Sequence, residues 1–227
     1  MAILSQTHRL LFVMTPRTGC TAIGRLLEDS LGGEYLPPDN ILDERGYFLV
    51  QRKHCTLPQL LAHGILTDAQ RRSLFVFGAV RNPFDSLVSL YTKLATGYQP
   101  SLQDPNSWVH KVKGYAESME YCRTHTFTEW LEQRYARSVW DRLKGAGKKK
   151  LNAPYVDGVD FVMRFENLQH DFGKALRQVG VTQTLTIPSI DRTANRDKDY
   201  RRYYTPSTRR LVEYALDREL VQFGYEY

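Results

Sequence analysis

The stretch Leu10-Leu11-Phe12-Val13-Met14-Thr15-Pro16-Arg17-Thr18-Gly19-Cys20-Thr21 couples an apolar run to a polar turn and then to a helical pattern. Leu10 to Met14 read as a strand buried on both faces. Pro16 and Gly19 end it, and Ile23, Leu26, Leu27 and Leu31 then recur on one face of a helix. Strand, turn and helix in this order build a phosphate cradle. Gly19 lets the backbone bend closely around an anion, and the first N–H groups of the helix point at it. Arg17 adds a permanent forked charge that can hold two oxygens at once. A Walker loop would need a wider glycine spacing closed by Lys-Ser/Thr, but here Thr21 follows Cys20. That speaks against an ordinary magnesium-dependent ATPase or kinase. The bland alternative is a plain strand-to-helix turn at a sheet edge.

Two further runs, Leu74–Val80 and Asp160–Phe165, read as strands, each followed by a polar break and a helical pattern. The expectation is an α/β fold: a single P-loop-like three-layer domain with a central parallel sheet flanked by helices. Asn82-Pro83 starts the second helix, with Leu87, Val88, Tyr91 and Leu94 facing the core. Thr205-Pro206 starts the last helix, which carries Val212, Leu216 and Leu220. Gly97, Pro100, Pro105 and Gly114 make residues 96–125 an expected irregular, partly mobile lid or substrate loop. Phe127–Trp140 reads as helical through Trp130, Leu131 and Tyr135. Lys144–Lys150 is a basic loop, either solvated or in contact with substrate.

The chain's 227 residues suit one sizeable domain spanning 1–227, with about 92–155 as a substrate-binding or lid insertion. Lys and Arg outnumber Asp and Glu by 31 to 25, a net charge of +6 that suits an anionic partner. Cys20, Cys55 and Cys122 form no CxxC pair, so neither a disulfide framework nor a metal site is expected. The apolar runs are too short to span a bilayer, and no signal-peptide pattern opens the chain. A cytoplasmic setting is expected.

Arg81 follows the second strand, at the carboxyl end where open α/β sheets bind ligands. Ser89 lies two turns into the next helix, so both can address one phosphate if that helix lies against the ligand. Asp85 favours the helix N-terminus.

At these residues the chain resembles a known family. Pro16-Arg17-Thr18-Gly19-Cys20-Thr21 is similar to the 5′-phosphosulfate loop of sulfotransferases, usually Pro-Lys-Thr-Gly-Thr/Ser-Thr. Arg81-Asn82-Pro83 with Asp85, Ser89 and Tyr91 resembles their 3′-phosphate motif. Phe161–Leu168 resembles their Arg-Phe/Tyr-Glu-Asn/Asp-Leu strand, and Tyr203–Tyr225 their C-terminal helix. The likeness extends to the branch that contains Golgi-type carbohydrate sulfotransferases and compact bacterial relatives. It implies 3′-phosphoadenosine 5′-phosphosulfate as donor, adenosine 3′,5′-bisphosphate as product, and no metal. The implied donor-binding residues are Arg17, Thr18, Gly19, Cys20, Thr21, Arg81 and Ser89. Arg17 replaces the family's catalytic Lys; it can neutralise the leaving oxygen but cannot donate a proton near pH 7. Cys20 replaces a hydroxyl residue and leaves the backbone N–H in place.

Transfer to a hydroxyl needs a base, and His suits it. Of His8, His54, His63, His110, His125 and His170, His54 is the candidate. Its segment Gln51-Arg52-Lys53-His54-Cys55-Thr56 resembles a Lys-His-Ala/Cys-Thr stretch of the same branch. Neighbouring cations would help keep it neutral. Its bland reading is a surface His in a basic loop. Asp43 and Glu44 are the alternative bases. Glu166 reads as an ion pair or cap beside Arg164. Arg192, Asn195, Arg196 and Lys198 lie where the family closes a loop over the nucleotide, and are otherwise solvated. Trp108, Tyr115, Tyr121, Trp130 and Trp140 could stack on a sugar or enclose a lipid, or else form core.

The implied reaction is sulfuryl transfer to a small-molecule or carbohydrate hydroxyl, with no nucleic acid as partner and no membrane span. Two other classes remain open: an atypical P-loop nucleotide or small-molecule kinase, and a non-enzymatic polyanion-binding module.

Overall fold

The computed structural model describes residues 2–136, 147–188 and 196–227. The chain divides into two compact units: residues up to Arg81 together with a stretch that starts at Asn152, and residues Asn82–Leu151 together with the C-terminal stretch.

The first unit is built on β1 (Ala2–Ser5), β2 (Leu10–Val13), β3 (Glu34–Leu36), β6 (Phe75–Val80) and β7 (Phe161–Arg164) in the order β3-β1-β2-β6-β7. β4 (Ile41–Leu42) and β5 (Phe48–Val50) form a separate two-stranded hairpin. The three expected strands are present and parallel: Phe12 pairs with Phe77, and Phe77 with Phe161. The sheet departs from a purely parallel one at β1, which runs antiparallel to both β2 and β3. β3 therefore points the same way as β2, and only β1 is reversed.

Alternation along β2 sorts the core into two layers. Leu10, Phe12 and Met14 join Ile23, Leu27, Phe172 and Leu176 on one face, under α1 (Cys20–Leu31) and the helix Leu168–Gln178. Leu11 and Val13 join Val50, Leu57, Leu60 and Leu66 on the other, under α2 (Leu57–Ala62) and the hairpin. Helices and hairpin thus cover both faces of the sheet, giving three layers. α3 (Asp68–Ser73) leads into β6.

The second unit is helical. α4 (Pro83–Thr92) starts as expected, with Asn82 Oδ1 accepting from the Phe84 N–H at 3.0 Å and Pro in the first turn. Leu87 and Val88 are buried, whereas Leu94 is buried from a π-helical turn, Lys93–Gly97, that follows α4. Residues 96–125 correct the expected irregular loop. They hold short helices at Gln99–Leu102 and Trp108–Lys111 and a longer one at Tyr115–Thr124. Pro100 sits in a first helical turn, where it has no N–H to lose, and Gly114 caps the next helix at φ 74°. Pro100 and Gly114, which read as breakers, are helix starts, whereas Gly97 ends the π-helical turn and Pro105 lies in a turn between helices.

Phe127–Tyr135 is helical with Trp130, Leu131 and Tyr135 buried, while Trp140 lies outside the described residues. The last helix begins at Thr205-Pro206 but splits at Leu216 into Pro206–Ala215 and Asp217–Phe223. Residues 144–146 of the basic loop also lie outside the described residues. Its Lys148 is structural. Nζ donates to Asp217 Oδ2 at 2.7 Å and to the Tyr214 carbonyl at 2.8 Å.

Candidate functional site

β2, β6 and β7 run parallel, so the loops that follow them leave one edge of the sheet. Register pairs Val13 with Gly78 and Val80 with Arg164. Counting on from these pairs sets Pro16, Arg81 and Phe165 level, just past three adjacent strand tips. Two motifs far apart in sequence thereby meet.

The first loop turns tightly at Pro16–Gly19 before α1 begins at Cys20. Thr18 is fully buried and its hydroxyl donates to the Thr15 carbonyl at 2.8 Å, which closes the turn. Arg17 adopts φ 66° and Gly19 φ 74°. Left-handed backbone is costly for any residue with a Cβ, so Arg17 carries strain that the surrounding turn must hold in place. At Gly19 a Cβ would also stand 3.0 Å from Leu168 Cδ2. The N–H groups of Ala22 and Ile23 both turn back onto the Gly19 carbonyl. Those of Cys20 and Thr21 open the helix without an intrahelical acceptor, which is the arrangement that receives an anion. Cys20 is buried in the core, and burial pushes its thiol pKa up, so it offers the ligand only backbone. The Thr15 hydroxyl is buried with no hydrogen-bond partner.

Arg81 is 7% exposed and tightly held. Its Nη1 donates to the Arg17 carbonyl at 2.8 Å, and its guanidinium lies 4.1 Å from the Phe165 ring centroid. Asn152, buried in the same unit, donates through Nδ2 to the Arg81 carbonyl at 3.1 Å.

His54 belongs to the same unit. Thr56 and Gln59 form a capping box that fixes the start of α2, three residues beyond it. His54 Nδ1 lies 3.0 Å from the carbonyl of Met14, the residue on which β2 enters the loop. A carbonyl only accepts, so Nδ1 carries the hydrogen and Nε2 carries the lone pair. Burial pushes the His54 pKa down to about 3, with the charges of Lys53 and Arg17 acting in the same direction and the Met14 carbonyl opposing them. The sequence reading credited the neighbouring cations; burial is the larger cause. The Tyr155 ring stands edge-on, 6.5 Å away.

The alternative bases, Asp43 and Glu44, are both exposed. Asp43 Oδ1 accepts from the N–H groups of Arg45 and Tyr47, both at 2.9 Å, and shapes the exposed hairpin turn. Glu166 is exposed in a short 3-10 turn after β7. In the second unit, Ser89 is 1% exposed on α4, and Asp85 pairs with Arg196. Lys198 is exposed, and Arg192 and Asn195 lie outside the described residues. Trp130 is core whereas Trp108 is exposed. Sequence reasoning quoted Phe165 but gave it no task; the parallel register of β6 and β7 is the signal that would have found it.

Over residues 1–227 the chain matches the model of the Sulfotransferase family. It is also similar to carbohydrate sulfotransferase 9 of Homo sapiens, with 26% identity over 197 residues. The alignment covers 81% of this chain and 42% of that protein, so the chain spans less than half the length of its relative. No solved structure matches it. With the match running the whole length of the chain, and the loop after β2 and Arg81 after β6 at one sheet edge, this protein belongs to the sulfotransferase family.

Proposed function

We propose that this protein transfers the sulfuryl group of 3′-phosphoadenosine 5′-phosphosulfate to an acceptor hydroxyl, with a carbohydrate as the favoured acceptor class. The observation that carries the reading is the Arg81–Arg17 contact, which brings the two phosphate motifs within reach of one nucleotide. In this reading Arg17, Thr18, Gly19, Cys20 and Thr21 form the loop that receives the 5′-phosphosulfate. The backbone N–H groups of Cys20 and Thr21, together with the Arg17 charge, stabilise the negative charge that grows on the departing phosphate oxygen. Arg81 takes the 3′-phosphate. The carbohydrate preference rests on the name of the human relative.

His54 is the proposed base. The bond from sulfur to the bridging phosphate oxygen breaks, and a bond from sulfur to the acceptor oxygen forms. The acceptor's proton passes to His54 Nε2, and adenosine 3′,5′-bisphosphate leaves. So weak a base does not ionise an alcohol in advance, so the proton moves as the new bond forms.

The test is a thermal-shift comparison followed by an acceptor screen. Adenosine 3′,5′-bisphosphate at 100 times its dissociation constant should add about 2.7 kcal/mol of stability without magnesium. Sulfated product should then form from the sulfate donor with at least one sugar, phenol or alcohol. Stabilisation by ATP with magnesium alone would favour a kinase instead.

A further inference from the structure

The Arg164-Phe165-Glu166-Asn167-Leu168 stretch has no task in the transfer reaction as described. Its position gives it one. Val80 and Arg164 are register partners on parallel strands, so Arg81 and Phe165 emerge side by side. The guanidinium of Arg81 lies over the Phe165 ring at 4.1 Å from its centroid, well inside the range of a cation–π contact. The other side of the turn is just as close: Phe165 Cε2 stands 3.7 Å from where a Cβ on Gly19 would be. One half-buried ring therefore supports both the arginine after β6 and the glycine that opens α1.

From this we infer that Phe165 is a positioning residue for recognition of the nucleotide's 3′-phosphate, acting through Arg81. The inference rests on the reading of Arg81 as the 3′-phosphate ligand. A guanidinium is planar and carries its five donors around its edge. A ring against one face fixes the plane without consuming any donor. One edge hydrogen goes to the Arg17 carbonyl, and the held plane fixes the direction in which the guanidinium meets the proposed phosphate. A leucine would fill much of the same volume, but it has no ring quadrupole to hold the cation and no flat face to set its plane.

Calorimetric titration of the full chain tests this with two probes, adenosine 3′,5′-bisphosphate and adenosine 5′-monophosphate. Phe165→Leu should weaken the bisphosphate by about 5- to 30-fold, the range of a partly desolvated cation–π contact. Binding of the monophosphate should change less than about twofold. Phe165→Tyr keeps the ring and should restore the bisphosphate affinity. In an Arg81→Ala background, Phe165→Leu should cause no additional loss. Phe165→Met, a second ringless variant, repeats the measurement should the leucine variant fold poorly. Equal losses for both nucleotides, or unchanged bisphosphate affinity in both ringless variants, would overturn the proposal. The parent reading fails separately: the unsubstituted protein would then show no preference for bisphosphate over monophosphate.

Discussion

Nη1 of Arg81 donates to the main-chain carbonyl of Arg17 across 2.8 Å, tying the residue after β6 to the turn after β2. A charge-assisted bond of this kind is stronger than one between neutral groups, and here it acts on a backbone already held at φ 66°. Arg81 is thus a brace for the first loop as well as a proposed phosphate ligand.

Arg81→Ala should lower affinity for adenosine 3′,5′-bisphosphate by roughly 10- to 100-fold, as loss of a hydrogen bond to a charged group implies. Arg81→Lys keeps the charge without the fork and should fall between the two. Titration calorimetry reads both. An alanine variant that binds as tightly as the parent would remove Arg81 from the site.

Gly19→Ala puts a side chain on left-handed backbone and against Leu168. The backbone term alone costs roughly 1–2 kcal/mol. Urea denaturation should show a loss of at least that size, and bisphosphate affinity should fall with it because the helix start must shift. A variant of unchanged stability would mean that the turn has relaxed to another conformation.

His54→Ala should leave bisphosphate binding within about twofold and cut turnover by roughly 10²- to 10⁴-fold, the usual contribution of a positioned base. Release of adenosine 3′,5′-bisphosphate from the sulfate donor, in the presence of an accepted substrate, is the assay. Full activity in the variant would pass the role to Asp43 or Glu44.

Acid should expose the burial of His54 independently of catalysis. Its pKa is 6.5 in an ordinary setting and about 3 in the fold. Between those values the unfolded chain binds the proton more readily than the native state, so stability rises with pH across the window. The contribution is complete above pH 6.5 and is lost as pH falls toward 3. Comparing urea midpoints at pH 7 and pH 4.5 should show a larger drop for the parent than for His54→Gln. Equal drops would mean that His54 is open to water.

The long-range layout was legible where strands are buried on both faces. Leu10–Met14 and Leu74–Val80 are continuous apolar runs because helices or hairpin cover each side of the sheet. β3 escaped because three residues are too few to show a period, and β1, as long as β2, because a turn and another strand follow it instead of a helical pattern. The helices between 96 and 125 escaped because Pro100 and Gly114 sit at helix starts, a meaning that position decides and composition does not. Within the site, the loop, Arg81 and His54 could be named from motif order. The contact between His54 Nδ1 and Met14 could not, since it joins residues 40 apart through the fold alone. The Asp85–Arg196 pair is a similar case, its partners 111 positions apart.

The most direct test of the account is calorimetric titration of the unaltered chain, in the presence of a metal chelator, with adenosine 3′,5′-bisphosphate and then with adenosine 5′-monophosphate. The account predicts one molecule bound per chain, with the bisphosphate held at least about tenfold more tightly because Arg81 grips the second phosphate. Equal affinity for the two nucleotides, or no binding of the bisphosphate, would contradict it.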